Sequence, residues 1–355
     1  MSDSHRLSKA VLPRRYDVEL APDLAAARFA GGVSIAVDVV EESTSITLNA
    51  LDLDIRSCSV EGAPATWSLE PGERMVIVPE RPVDVGPATI AIEFTGILND
   101  KLRGFYRSRF VDANGDEHVI ATTQMQATDC RRAFPCFDEP EFKAVFGITL
   151  VIDPAMTTVS NGPEIGRQDR PDGKVAVTFG DTMAMSSYLV AFVVGPLEAT
   201  EPVDVDGIPL RVYHVPGKAH LTDFALDIGA FALRWFQEYY GIPYPGEKVD
   251  LLGLPDFAAG AMENFGCITF RESLLLIDPA TSTHSEQEVL VDVVAHELAH
   301  MWFGDLVTMR WWNGIWLNEA FATFMEIAAC AAFRPDWERW TLFGLERSAA
   351  FETDS

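Results

Sequence analysis

Residues 33–40 read VSIAVDVV, and their alternation decides the first half of the fold. Val33, Ile35, Val37 and Val39 recur at every second position, so all four fall on one face of an extended strand. The same period continues outward along the chain. SITLNALDLDI at 45–55 supplies Ile46 and Leu48, then Leu53 and Ile55. RMVIVPE at 74–80 supplies Met75 and Ile77, and TIAIEFTGIL at 89–98 supplies Ile90, Ile92 and Phe94. Gly, Pro and Asp turns separate these runs, and FGITLVID at 146–153 and SSYLVAFVVG at 186–195 read as further strands. Short period-two segments divided by turns predict antiparallel strands in a β-sandwich.

After Gly195-Pro196 the period changes. From about Ala219 to Tyr240, Phe224, Ile228, Phe231 and Trp235 recur at spacings of three and four, which is helical, and Gly241 with Pro243 closes the run. The fold class is therefore multi-domain, β followed by α+β. The boundary is placed near residue 198, giving an N-terminal β-domain over 1–198 and a second domain over 199–355.

Composition bounds the partners. The chain has 355 residues, 48% of them hydrophobic and 23% charged, which is ordinary for a globular protein with a core. Its 53 acidic residues against 27 basic ones give a formal net charge of -26. Such a surface repels phosphate backbones, so no nucleic-acid partner is expected, whereas a cationic ligand is favoured. No run is long and apolar enough for a membrane span, and MSDSHRLSKAVLPRRYDVEL at the start lacks the pattern of a signal peptide. The five cysteines are scattered without a C-x-x-C pair, which predicts reduced thiols and a cytoplasmic location. Oligomeric state leaves no mark in the sequence.

Residues 296–300 read HELAH. Ser285 and Glu288 ahead of them predict a capping box, Val289, Leu290, Val293 and Val294 an apolar face, and Gly304 a stop. Positions four apart on a helix point the same way, so the imidazoles of His296 and His300 can reach one metal ion. Glu297 lies beside them, able to act on a water molecule without being a ligand. A second helix is predicted over about Leu317 to Phe333 with Glu319 in its first turn, and Glu319 is the candidate third ligand. Two histidines and a glutamate, with a fourth position left for water, suit one zinc ion that acidifies water and polarises a carbonyl. Glu297 is then the general base. Five of the seven histidines (His5, His118, His214, His220, His284) form no such pair. A bland buried helix would seldom place His, Glu and His on its apolar flank, because unpaired polar groups there cost several kcal/mol.

GAMEN at 260–264, HELAH, and Glu319 eighteen residues beyond His300 together resemble the zinc aminopeptidase family that includes aminopeptidase N and leukotriene hydrolase. TQMQATDCRRAFPCFDEP at 123–140, LRGFYRS at 102–108 and WWNGIWLNEAFA at 311–322 extend the resemblance over nearly the whole chain. It implies a saddle-like β-domain followed by a thermolysin-like catalytic domain, and a metalloaminopeptidase acting on peptides with a free N-terminal amine. It implies that Glu263 binds that amine, which is mostly cationic at neutral pH. Gly260 and Ala261 let a substrate backbone lie close, Asn264 completes the motif, and Gln124 and Met262 are candidates for shaping the side-chain pocket.

Two departures stand out. Most family aminopeptidases carry a second glutamate for the amine where this chain has Gln126, as the leukotriene hydrolase branch does. Gln126 offers one amide oxygen but no charge, so Glu263 is expected to carry most of the anchoring. The family also uses a tyrosine well beyond the third ligand to stabilise the oxyanion, and the last tyrosine here is Tyr244. The chain is therefore read as a C-terminally truncated member with an incomplete catalytic domain and little turnover alone, since one lost oxyanion donor costs about a hundred- to a thousandfold. Alternatives on the same residues are a non-catalytic zinc- and peptide-binding fragment, an endopeptidase, and, from Gln126, an epoxide hydrolase.

Overall fold

The computed structural model describes residues 6–354; His5 lies outside them. The chain divides into two compact units. The first holds the residues up to Leu197 with Asn264–Cys267 and Arg310–Trp312, and the second holds Glu198–Glu263, Ile268–Met309 and the residues from Asn313 onward.

In the first unit a ten-stranded sheet is built around three long strands, Val11–Asp23, Arg28–Val39 and Gly86–Ile97. Val33 pairs with Ile92 and Ile35 with Ile90. The predicted inward face is therefore real: Val33, Ile35, Val37 and Val39 are all buried. Each such burial is worth about 1.5–3 kcal/mol, which fixes the register because a one-residue slip would expose the whole row. One pairing is parallel, Val11–Asp23 with Val145–Ile152, against the antiparallel expectation. More than a hundred residues separate these strands, so no hairpin constrains their direction.

A four-stranded sheet, Thr157–Ser160, Phe192–Gly195, Glu117–Gln124 and Gly104–Val111, supplies the second layer. Phe29 of the large sheet meets Phe105 of the small one at 5.1 Å between ring centroids, and Phe105 meets Phe192 at 4.9 Å. Gly96 is required beneath them, because a Cβ there would fall 2.2 Å from the Phe29 ring. The run 186–195 is only partly strand. Ser187–Leu189 forms a short 3-10 turn, since Ser186 Oγ donates to the Pro140 carbonyl and Ser187 Oγ to Asp138, drawing that backbone off the ladder.

The second unit pairs Ile208–His214 in parallel with Val249–Leu254, and the helix α1, Asp223–Tyr240, makes the crossover between them. Every residue of Val249–Leu254 is buried, as expected of a strand covered on both faces. Gly241 ends α1 in the left-handed conformation at φ 63°, its N–H donating to the Gln237 carbonyl. Three more helices follow: α2 at His284–His300, α3 at Ile315–Phe333 and α4 at Arg339–Asp354. Among the described residues no helix is long and apolar enough to cross a membrane.

Candidate metal centre

α2 starts two residues earlier than the predicted capping box. Its N-cap is Thr283, whose hydroxyl accepts from Glu286 N–H while Glu286 accepts from Thr283 N–H at 2.7 Å. Ser285 is already inside the helix and Glu288 one turn along it. The buried face is correspondingly Leu290, Val291, Val294, Ala295, Leu298 and Ala299, whereas Val289 is exposed and Val293 half-buried. The helix stops at His300, and Gly304 lies beyond its end rather than at it. Glycine is needed there for a different reason. At φ 144° it folds the chain so closely over His300 that a Cβ would sit 3.1 Å from Nδ1.

The i, i+4 spacing brings His296 Nε2 and His300 Nε2 to 3.0 Å. Glu319 Oε2 lies 3.4 Å from the first and 3.7 Å from the second. Two nitrogens about 2 Å from one tetrahedral ion stand about 3.3 Å apart, so this set has the dimensions of a zinc site. Glu319 comes from α3, which begins at Ile315, so it stands one full turn inside rather than in the first turn as predicted.

The outer nitrogens are also held. Glu326, seven residues after Glu319 on α3, takes His296 Nδ1 at 2.7 Å, and the Phe303 carbonyl takes His300 Nδ1 at 2.9 Å. Both contacts leave the Nε2 lone pairs turned toward Glu319, the arrangement that metal-ligating histidines need. Neither partner was singled out in the sequence. The seven-residue spacing from Glu319 is the one signal that could have found Glu326, and a backbone carbonyl leaves none.

The electrostatics of the cluster demand positive charge. Burial disfavours a charged His296, yet Glu319 and Glu326 outweigh it and raise the imidazole to about 10. His300 is raised too, with burial again opposing and Glu263 and Glu319 driving the rise. The two imidazoles hold Glu319 well below the ordinary carboxylate range. A divalent cation among these three side chains supplies that same positive charge.

Two further carboxylates complete the surroundings. Glu297 is 6% exposed, and burial pushes it up to about 8 despite the pull of the two histidines. Glu263 is 3% exposed and is likewise raised, by burial first. Glu297 Oε2 and Glu263 Oε1 are buried without a hydrogen-bond partner among the described residues. Each such atom costs about 1–3 kcal/mol, so the site holds two acceptors waiting for donors.

The GAMEN residues divide between the units. Gly260, Ala261, Met262 and Glu263 belong to the second, where Ala261–Met262 pairs with Phe270 and Thr269 and so fixes the backbone leading into Glu263. Asn264 belongs to the first, as do Gln124 and Gln126. Gln124 ends the strand Glu117–Gln124 and is buried opposite Gly104. Gln126 is half-buried in the turn that follows.

Comparison with known proteins agrees with this layout. Residues 12–189 match the Peptidase M1 N-terminal domain, and residues 224–355 match the Peptidase family M1 domain. Aminopeptidase M1-A of Oryza sativa subsp. japonica is 42% identical over 99% of this chain and 41% of its own length. The puromycin-sensitive aminopeptidase of Caenorhabditis elegans is 42% identical over 95% of this chain and 36% of its own. The alanine/arginine aminopeptidase of Saccharomyces cerevisiae is 41% identical over 94% and 40% respectively. The chain thus spans about two fifths of the length of these relatives. With a β-rich N-terminal domain, a following α+β domain and matches over both, the chain belongs to the peptidase M1 family.

Proposed function

We propose that this chain carries the metal-binding part of a zinc metalloaminopeptidase, one that removes N-terminal residues from peptides. The observation that carries the proposal is the convergence of His296 Nε2, His300 Nε2 and Glu319 Oε2 beside two buried carboxylates with unpartnered oxygens. Relatives named as aminopeptidases support the reaction class. Bound at this triad, one zinc ion supplies Lewis acidity toward a carbonyl and toward water.

The chain's own residues do the rest. Glu326 and the Phe303 carbonyl keep the imidazoles in the tautomer that presents Nε2. Glu297 takes a proton from the attacking water at its unpartnered oxygen and delivers it to the leaving amine. Glu263 accepts the substrate's N-terminal ammonium, a charge-assisted bond that relieves its buried oxygen. Gly260, Ala261 and Met262 bring the peptide backbone alongside. Gln124, Gln126 and Asn264 are assigned to the substrate by their motifs, with Gln126 adding an uncharged acceptor. All five cysteines are buried thiols outside any disulfide, which supports a reducing, cytoplasmic setting.

The test is a zinc titration of the chelator-stripped chain, combined with an aminoacyl chromogenic substrate. One equivalent of zinc and product release that a chelator abolishes are expected. Glu297→Gln should retain zinc and lose release. Zinc binding without any release would favour a peptide-binding module, and cleavage of N-acetylated peptides would remove the amine role of Glu263.

A further inference from the structure

The motif LRGFYRS at 102–108 has no part in the metal site, and its Arg107 is not yet accounted for. Arg107 stands half-buried on the strand Gly104–Val111, and its Nε is buried with no acceptor among the described residues. A guanidinium keeps its charge at any ordinary pH, so such an N–H is a standing demand for an oxygen. The neighbouring arginines of the first unit have theirs: Arg131 Nε donates to Asp138 at 2.9 Å and Arg132 Nε to Asp129 at 2.5 Å. Arg170 Nε is unpartnered too, but its Nη2 donates to Glu19 at 2.6 Å. The Arg107 side chain has no hydrogen bond or ion pair of any kind among the described residues.

Arg107 lines a cavity of about 510 Å³ together with Lys101 and Arg132. The turn that shapes it is tightly bonded. Asn99 Nδ2 donates to the Arg103 and Phe105 carbonyls, Asn99 Oδ1 accepts from Lys101 N–H, and the Asn99 carbonyl accepts from Arg107 N–H at 2.9 Å. Gly104 at φ 64° closes the turn, where a Cβ would fall 2.7 Å from the Arg132 Cβ. Arg132 is spent on Asp52 and Asp129, and Asp52 is 70% exposed, so water screens its charge. Lys101 and Asp100 also line the cavity, and both are exposed and outside any ion pair among the described residues. Two uncommitted cations therefore stand against one uncommitted carboxylate, and Ala27, Ile97 and Leu98 make the apolar wall.

We propose that this cavity binds a small aliphatic monocarboxylate, its oxygens on Arg107 and Lys101 and its hydrocarbon body against Ala27 and Ile97. A planar guanidinium matches a carboxylate through paired N–H donors, and Lys101 adds a point charge. A dianion is served less well, because Asp100 stands beside the cations and the net charge of -26 repels multiple negative charge. The site lies wholly within the first unit and does not depend on the metal centre.

The experiment titrates butyrate into the full, chelator-stripped chain and follows saturation transfer to its methyl protons by NMR. Stripping removes zinc as a rival carboxylate ligand. Saturable binding with a Kd of about 1 mM is expected for a ligand of this size. Arg107→Gln should weaken it by about tenfold or more, and Arg107→Lys should recover part, since the charge returns without the fork. Lys101→Glu reverses a charge at an exposed position where folding is not at stake, and should weaken butyrate several-fold. Butylamine, with the same body and the opposite charge, should give no transfer, and inorganic phosphate should compete more weakly than butyrate. Thermal unfolding of each variant separates a lost site from a lost fold; if Arg107→Gln is unfolded, Lys101→Glu decides. No saturable butyrate binding, equal binding in Lys101→Glu, equal binding in a folded Arg107→Gln, or tighter binding of phosphate overturns the proposal.

Discussion

Among the described residues two clusters bring metal-ligating atoms together, and they differ in what those atoms are already doing. In the first unit Cys130, Cys136 and Asp138 converge, all of them buried; in the second, His296, His300 and Glu319 do. Asp138 is spent: Oδ1 accepts from Ser187 at 2.6 Å and Oδ2 from Arg131 Nε at 2.9 Å. Burial pushes both thiols up, so they stay protonated and bond to each other instead of presenting thiolate. In the histidine cluster the outer nitrogens are held by Glu326 and the Phe303 carbonyl while the inward ones converge on each other and on Glu319, and Glu263 and Glu297 keep unpartnered oxygens. Convergence and burial are common to both. What marks the site is unmet demand for a donor or a cation.

That contrast can be attacked from either side. The largest effect is expected for Glu297→Gln, which should lower turnover by about 10²- to 10⁴-fold while zinc content, measured by atomic absorption, stays at one equivalent. Loss of zinc would recast Glu297 as structural.

On the other side, Asp138→Ala leaves the half of Arg131 that Asp138 satisfied without a partner inside the core. Such a loss costs about 3–5 kcal/mol, and denaturant unfolding of the first unit should report it with zinc content unchanged. A stability change well under this would mean that water enters and replaces the pair.

Glu326→Gln tests the outer layer. It keeps a hydrogen bond to His296 Nδ1 but not the charge, and should weaken zinc by about 10-fold in chelator competition, with little effect on thermal unfolding of the metal-free chain. Equal affinity would show that orientation alone suffices.

The smallest effect belongs to Gln126→Glu. A second carboxylate for the amine should lower KM for aminoacyl substrates a few-fold and leave kcat nearly unchanged, because the interaction is made equally before and during reaction. An unchanged or raised KM separates Gln126 from the amine.

The sequence by itself determined the local periods and what they point at. Alternation over 33–40 put Val33, Ile35, Val37 and Val39 inward because Cβ direction in a strand reverses at every residue, whatever the surroundings. The four-residue step of HELAH put two imidazoles together for the equivalent helical reason. Where two local signals competed, the sequence could not choose: Ser285 with Glu288 and Thr283 with Glu286 both spell a capping box, and only the extended backbone at Thr283 selects one. The run 186–195 looked like one strand until Asp138 and Pro140, nearly fifty residues away, claimed its serines. Tertiary structure alone decided which of the neighbouring carboxylates turns to His296, that a backbone carbonyl holds His300, and that Glu263 and Glu297 are left one oxygen short. The physical reason is the same in each case. Backbone geometry fixes directions within an element, whereas hydrogen-bond partners across elements are fixed by how helices and strands pack, and no spacing in the chain encodes that crossing.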